Sequence, residues 1–372
     1  MLGLCSNDDR RHEPPPLPLS CWTASTDPAL AYPPPRGARL PGRAWLLDPD
    51  GHPSDLYRSE VAAAELAALL DRLRPDLVLV AGLWLASYLE VIRAAGCRVV
   101  LDCHNVEADV QRQLAAATRG DDLEARTRRD VLPARTAARE RAAVRAVDQT
   151  WACSDEDAAL LRRLYGPAAP TVVVPNGIEQ TRYADVAAAR RPPAGRTTVL
   201  FPGTFGYGPN ALAARLLVEE ILPLLPGGEA TRLLLVGPGP GPELLAAAGR
   251  DPRIAVTGAV ADVRPFLVEA TVLAVPLRQG GGTHLKVLEG LAAGVPVVST
   301  AVGAQGLAVE DGTHLLLAEG PAGLAAAIAR VAAEPALAAR LAAAGRELVA
   351  ERYDWPVVHA RVDDALAGLG LA

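Results

Sequence analysis

TVLAVPLRQGGGTHLKVLEGLAAGVPVVS, residues 271–299, decides how this chain is read. The aliphatic, β-branched run at 271–275 makes a short buried strand. A glycine run at Gly280, Gly281 and Gly282 opens a loop, 284–293 reads as a helix, and 296–299 reads as the next strand. A short buried strand, a helix and a second buried strand are one unit of a parallel α/β sheet. Lys286 in this unit is the only lysine of a chain with 37 lysines and arginines. Lysine brings a compact charge on a flexible stem, where arginine brings a planar fork. Glycines let backbone amides approach an anion, and a helix N-terminus favours negative charge. The segment therefore reads as a phosphate or diphosphate site. Glu289 follows one helical turn after Lys286; it either pairs with that lysine or accepts hydrogen bonds from a ribose diol.

The same alternation extends outward. Strands are expected at 198–201, 232–236, 254–257, 296–299 and 314–318, with helices at 209–222, 243–248, 262–270 and 284–293. Two alanine-rich helices and a last helix after Tyr353-Asp354-Trp355-Pro356 complete the second half. Two further glycine-rich loops follow strands: Phe201-Pro202-Gly203-Thr204-Phe205-Gly206-Tyr207-Gly208 and Gly237-Pro238-Gly239-Pro240-Gly241. The second lacks the spacing of a dinucleotide fingerprint. Three such loops on one sheet suggest one nucleotide pocket.

The first half carries an analogous series. A helix is expected at 58–73 with Val61, Leu66, Leu69, Leu70 and Leu73 on one side, then an apolar run at 77–80, a helix at 84–95 and an apolar run at 98–101. A long arginine-rich helical stretch covers 108–147. Strands follow at 149–153 and 171–174, with Ser154 and Asp157 as a capping box between them. Residues 1–42 are proline-rich and irregular, and 43–47 reads as a strand. The expected organisation is a first domain over 1–183, a linker over 184–197, a second domain over 198–352, and a terminal helix over 353–372. Two doubly wound domains would leave a cleft facing the carboxyl ends of both sheets.

At 372 residues, two domains are the default. A net charge of −6 gives no footing for nucleic acid. Five cysteines without a CxxC pair fit reduced thiols, there is no run of membrane-spanning length, and 1–20 lacks the apolar core of a signal peptide. A cytoplasmic location is expected. The arginines of 111–145 read either as a solvated face laced with ion pairs or as a weak peripheral contact to an anionic membrane or acidic acceptor. Asp48-Pro49-Asp50 mimics a metal-binding DxD, but its proline and following glycine read as a turn, and no metal is expected. His104, at the end of the run at 98–101, is either a base or anion contact or a structural histidine.

Taken together these segments resemble the family-4 glycosyltransferases of the GT-B fold. The likeness runs through Pro175-Asn176-Gly177, Phe201-Pro202-Gly203-Thr204 with Pro209-Asn210, Val236-Gly237, Gly258-Ala259-Val260 with Asp262, Gly281-Gly282-Thr283-His284-Leu285-Lys286-Val287-Leu288-Glu289 and Gly294-Val295-Pro296. Asp102, His104, Asn105 and Glu107 resemble the family's first-domain histidine segment. The resemblance implies an α/β GT-B architecture whose last helix crosses back to the first domain. It implies a nucleotide-diphosphate-sugar donor as co-substrate, no separate cofactor, a hydroxyl acceptor, and retention of anomeric configuration without an obligatory metal. Carried over, Glu289 matches the ribose-binding glutamate, Val260 the position whose backbone holds the base, and Gly203 and Thr204 the diphosphate loop. Gly281, Gly282, Thr283 and His284 would line donor phosphate and sugar, with Gly237, Arg278, Lys286 and Val287 completing the donor set. His104 would face the transferring sugar, and His104 and Lys286 are the catalytic candidates.

The sequence departs from the family at three places. Gly281 stands where many members have glutamate, Gly206-Tyr207-Gly208 replaces a common Arg/Lys pair, and the usual first strand is not visible in 1–42. A sugar-nucleotide epimerase of the same fold and a non-catalytic sugar-nucleotide binder are the alternatives.

Overall fold

The computed structural model describes residues 2–4, 46, 48, 51–58, 60–167, 170–190 and 195–371. The proline-rich stretch beyond residue 4 and the strand expected at 43–47, apart from Leu46, lie outside these. The chain divides into two compact units, Met1–Val174 with Val362–Ala372, and Pro175–Arg361.

The first unit holds a parallel sheet in the order β1 (Leu2–Leu4), β2 (Leu77–Ala81), β3 (Arg98–Cys103), β4 (Gln149–Ala152), β5 (Thr171–Val173). Leu2 pairs with Val78 and Leu4 with Val80, so a first strand, not visible in the sequence of 1–42, is present at Leu2–Leu4. Period-two alternation decides which side chain meets which layer. Val99 and Leu101 of β3 enter one core with Leu66, Leu70 and Ile92. Val100 enters the opposite one with Trp151 and Ala365. Helix α1 (Glu60–Leu73) buries Ala62, Ala63, Leu66 and Leu70, whereas Val61 and Leu73, expected on that face, are exposed. A 3-10 turn at Leu83–Tyr88 precedes α2 (Leu89–Ala94) where one helix was expected.

The arginine-rich stretch is three helices, α3 (Glu107–Ala117), α4 (Leu123–Asp130) and α5 (Leu132–Arg145). The Asp122 side chain caps α4, accepting from Ala125 N at 2.8 Å, and Pro133 lies in the first turn of α5. Its arginines pair with nearby acids, Arg112 with Asp109, Arg128 with Glu124, Arg129 with Asp130 and Arg139 with Asp55. Ser154 caps α6 (Asp155–Tyr165) by accepting from Asp157 N at 3.0 Å. Asp157 does not return the bond to the Ser154 amide; its carboxylate accepts from the hydroxyl of Ser154 and the thiol of Cys153.

The second unit begins with α7 (Thr181–Ala189). Its Tyr183 and Val186 are buried in that unit's core, so 184–189 is packed helix and not the linker read from composition. The parallel sheet that follows has the order β11-β10-β9-β6-β7-β8. Its strands are β6 (Thr197–Pro202), β7 (Thr231–Val236), β8 (Ile254–Val256), β9 (Val272–Val275), β10 (Val297–Ser299) and β11 (Leu316–Leu317). Its helices are α8 (Gly208–Leu216), α9 (Pro242–Arg250), α10 (Arg264–Glu269), α11 (Leu285–Ala292), α12 (Gly320–Ala333) and α13 (Pro335–Arg352). The last helix, α14 (Trp355–Ala367), starts in the second unit, and its residues from Val362 onward belong to the first.

The chain lays β7 and β8 outward on one side of β6, then returns to lay β9 and β10 on the other. Strand order therefore reverses between β6 and β9. In an open α/β sheet, the loops leaving the carboxyl ends of two such strands diverge and leave a crevice. In the first sheet the described strands follow chain order without a reversal. Among the described residues no single helix is long and apolar enough to cross a membrane.

Candidate functional site

The loops after β6, β7 and β8 are hydrogen-bonded to one another in series. Gly203 N donates to Val236 O at 2.9 Å, Phe205 N to Pro238 O at 2.8 Å, and Gly237 N to Gly258 O at 3.2 Å. Gly237 cannot be another residue here. Its φ is +142°, and a Cβ would lie 2.1 Å from Gly203 O. The closeness of these two strand ends thus depends on one missing side chain.

Lys286, in the first turn of α11, comes to the same place from across the switch point. Its Nζ donates to Asn210 Oδ1 at 2.7 Å and lies 4.5 Å from the centroid of the Phe201 ring. A Cβ on Gly203 would lie 3.1 Å from that Nζ, so Gly203 leaves the ammonium open to the loop backbone. Burial lowers the lysine's pKa to about 8, with Glu289 opposing the shift. Among the described residues no carboxylate ion-pairs with Lys286, so a cation held on one amide oxygen and one aromatic face is an incompletely neutralised charge. An anion would complete it.

Glu289 takes a different partner. Its Oε1 accepts from Tyr183 OH at 3.1 Å, and burial raises its pKa while that bond and Lys286 hold it down. Of the two readings of Glu289, the pairing with Lys286 is therefore not the principal contact. Thr283 Oγ1 accepts from Asn176 Nδ2 at 2.5 Å, which ties the glycine run to the Pro175-Asn176-Gly177 turn. His284 occupies the N-cap position of α11 without a side-chain capping bond. Its ring bonds to the Val302 backbone, its Nε2 is buried without a hydrogen-bond partner, and its pKa falls to about 4 through burial and the nearby Lys286. The imidazole is neutral at pH 7.

The remaining expected donor residues are distributed as follows. Gly281 and Gly282 precede α11, Arg278 is exposed on the same loop, and Val260 is half-exposed after β8. Val287 is fully buried in the core; its side chain supports α11 and does not line a surface. Asn210, Tyr183 and Asn176 are the partners that sequence reasoning left without a role. Asn210 and Asn176 lay inside quoted motifs, while Tyr183 had no local signal.

In the first unit, His104 follows β3. Its Nε2 stands 3.5 Å from Asp102 Oδ2, and that carboxylate raises its pKa against partial burial. Glu107 accepts from Asn105 Nδ2 at 3.0 Å. Behind them Glu140 accepts from the amides of Glu107 at 2.7 Å and Ala108 at 3.2 Å, and from Tyr165 OH at 2.5 Å. Burial raises the Glu140 pKa to about 7. Gly51 N donates to Asp48 O at 3.1 Å, and Pro49 and Asp50 lie outside the described residues.

Comparison with known proteins identifies related families for both halves of the chain. A model described as "Glycosyl transferases group 1" matches residues 196–334, and one described as "Glycosyltransferase Family 4" matches 19–182. A D-inositol 3-phosphate glycosyltransferase of Streptomyces bingchenggensis is 30% identical over 305 residues, which is 76% of this chain and 65% of that protein. A glycogen synthase of Mycobacterium tuberculosis is 32% identical over 224 residues, 58% of this chain and 53% of that one. The chain thus spans between about half and two thirds of these relatives' length. Among solved structures, a sucrose-phosphate synthase from Thermosynechococcus elongatus superposes with a TM-score of 0.69 at 21% identity, covering 89% of this chain and 80% of its own. The Anabaena HepE protein crystallised with UDP gives 0.64 at 16% identity, covering 83% and 82%. At these identities the structural likeness is one of fold. The two family models between them leave only 1–18, 183–195 and 335–372 unmatched, and the chain belongs to the GT-B glycosyltransferases, with a family-4 first half and a group-1 second half.

Proposed function

We propose that this chain is a retaining glycosyltransferase. It moves a sugar from a nucleotide-diphosphate-sugar to a hydroxyl of a glycan, glycolipid or secondary-metabolite acceptor, without an obligatory metal. The observation that carries the reading is Lys286, a half-buried cation that no carboxylate among the described residues ion-pairs with, set at the strand-order reversal beside the interlocked loops of β6 and β7. HepE structures crystallised with UDP and with UDP-glucose support a donor of that class.

In this reading Lys286 and the amides of the Gly203–Thr204 loop hold the diphosphate. As the bond from the sugar's anomeric carbon to the diphosphate oxygen breaks, charge grows on the leaving group. A pre-placed ammonium stabilises that charge more than it stabilises the bound donor. Glu289, steadied by Tyr183, receives the ribose hydroxyls. The Gly258–Val260 loop holds the base, and Gly281–His284 flank the sugar. The acceptor hydroxyl oxygen forms the new bond to the anomeric carbon from the face the diphosphate leaves, and its proton passes to the departing diphosphate oxygen. His104 acts at the transferring sugar. Among the described residues Cys97, Cys103 and Cys153 form no disulfide, which fits a reducing, cytoplasmic setting.

The reading is tested by thermal shift against a panel of nucleoside diphosphates and their sugar conjugates, followed by a hydrolysis assay on the donor that stabilises most. A bound ligand at about 100 times its Kd adds about 2.7 kcal/mol. Slow release of free sugar supports a transferase, an isomerised donor an epimerase, and neither product a binding protein.

A further inference from the structure

The backbone around His104 is fixed from three directions. Gly82 N donates to Asp102 O at 2.8 Å, and Cys153 Sγ donates to His104 O at 3.4 Å. The amides of Glu107 and Ala108 are clamped by Glu140. Against that fixed backbone the imidazole itself is 56% exposed, and among the described residues Asp102 is the side chain that ion-pairs with it. The contact is through Nε2, so the other edge of the ring carries Nδ1. That edge lies over Gly82, where even a Cβ would be 3.8 Å from Nδ1. The charged groups that bear on the ring are both acidic, Asp102 from β3 and Glu107 from α3. Glu107 is already engaged by Asn105, and Glu140 of α5 stands behind it, occupied by two amides and Tyr165. Asp102 therefore stands on the Nε2 side of the ring, and the Nδ1 edge faces Gly82, which has no side chain.

We propose that Asp102 is a positioning residue for the transfer: paired with Nε2 of His104, it keeps the ring protonated and leaves Nδ1–H to donate, which makes His104 a hydrogen-bond donor to an oxygen of the substrate and not a proton acceptor. The role in transfer rests on the glycosyltransferase reading above; the pairing itself does not. A carboxylate that binds one imidazole nitrogen favours the doubly protonated ring, and both ring nitrogens then donate. The partner such a group fits is a sugar hydroxyl or a diphosphate oxygen.

The test uses the full chain with 15N-labelled histidine, His104 being assigned from the signal lost in His104→Gln. The wild-type ring should titrate above the ordinary histidine value. In Asp102→Asn its pKa should fall by about one pH unit, since a neighbouring opposite charge is worth at least that much. Glu107→Gln should move it less. Donor hydrolysis is read in parallel with UDP-glucose and GDP-mannose. Asp102→Asn should lower kcat at least tenfold at pH 7.5, while affinity for UDP or GDP stays within twofold. An unchanged His104 titration in Asp102→Asn overturns the pairing. An unchanged kcat, or equal losses in kcat and nucleotide affinity, overturns the positioning role. If the wild type neither binds nor hydrolyses either donor, the transferase reading fails with that role, and the titration alone judges the pairing.

Discussion

Lys286 carries two predictions that follow from its burial. Lys286→Ala should weaken nucleoside diphosphate binding by about 1.5–3 kcal/mol, the worth of a charge-assisted hydrogen bond. Lys286→Arg should fall between, because a forked guanidinium does not fit the space beside Gly203 and Phe201 as an ammonium does. The second prediction concerns pH. Burial lowers the free lysine's pKa to about 8, and a bound diphosphate would keep the proton on. Affinity should therefore be flat below about pH 7 and fall as pH rises through 8, approaching about tenfold per pH unit. Calorimetric titration of UDP or GDP from pH 6.5 to 9.5 reads it directly, and the slope should vanish in Lys286→Ala. For Glu289, Glu289→Gln should cost nucleotide affinity by about 1–3 kcal/mol while the fold survives, because the amide still accepts from Tyr183. A loss of thermal stability with unchanged nucleotide binding would make Glu289 a structural partner of Tyr183 only.

At the scale of elements, the prediction concerns the junction of β6 and β7. Gly237→Ala should destabilise the second unit by about 2 kcal/mol or more, since it adds a strained φ to a clash with Gly203 O. Denaturant unfolding followed in that unit checks it, and nucleotide affinity should fall with it because the Gly203 loop must move. The elements around this junction were legible in the sequence. Apolar runs flanked by glycine and proline mark β6, β7, β9 and β10, and strand ends are where ligands bind in this architecture. Other parts needed tertiary context. A three-residue strand such as Leu2–Leu4 has no local period, and its partner lies some seventy residues away. Composition suggested one long helix over 108–147, although Asp122 and Pro133 marked its interruptions. Residues 184–197 looked like a linker until Tyr183 and Val186 were seen to bury α7 against the second core. The site followed the same rule: the glycines and Lys286 were visible in one segment, whereas Tyr183, 106 residues before Glu289, was not.

The whole molecule consists of two units, each with its own sheet and core. Nucleotide recognition is assigned to the second and the Asp102–His104 chemistry to the first. Hydrogen exchange with and without UDP or GDP should show new protection in the loops at 203–207, 237–241 and 278–286, with β2 and β3 of the first unit unchanged. His104→Ala should lower turnover more than donor binding, since its contacts are expected to matter mainly in the transition state. The claim on which the rest depends is that Lys286 and the loops beside it hold a nucleoside diphosphate. The measurement that bears on it most directly is a calorimetric titration of UDP and GDP into the wild type and Lys286→Ala at pH 7. The account predicts that at least one nucleotide binds the wild type and that its Kd rises in the variant by roughly tenfold to a hundredfold. Binding of equal strength in the two proteins, or none in the wild type, would contradict it.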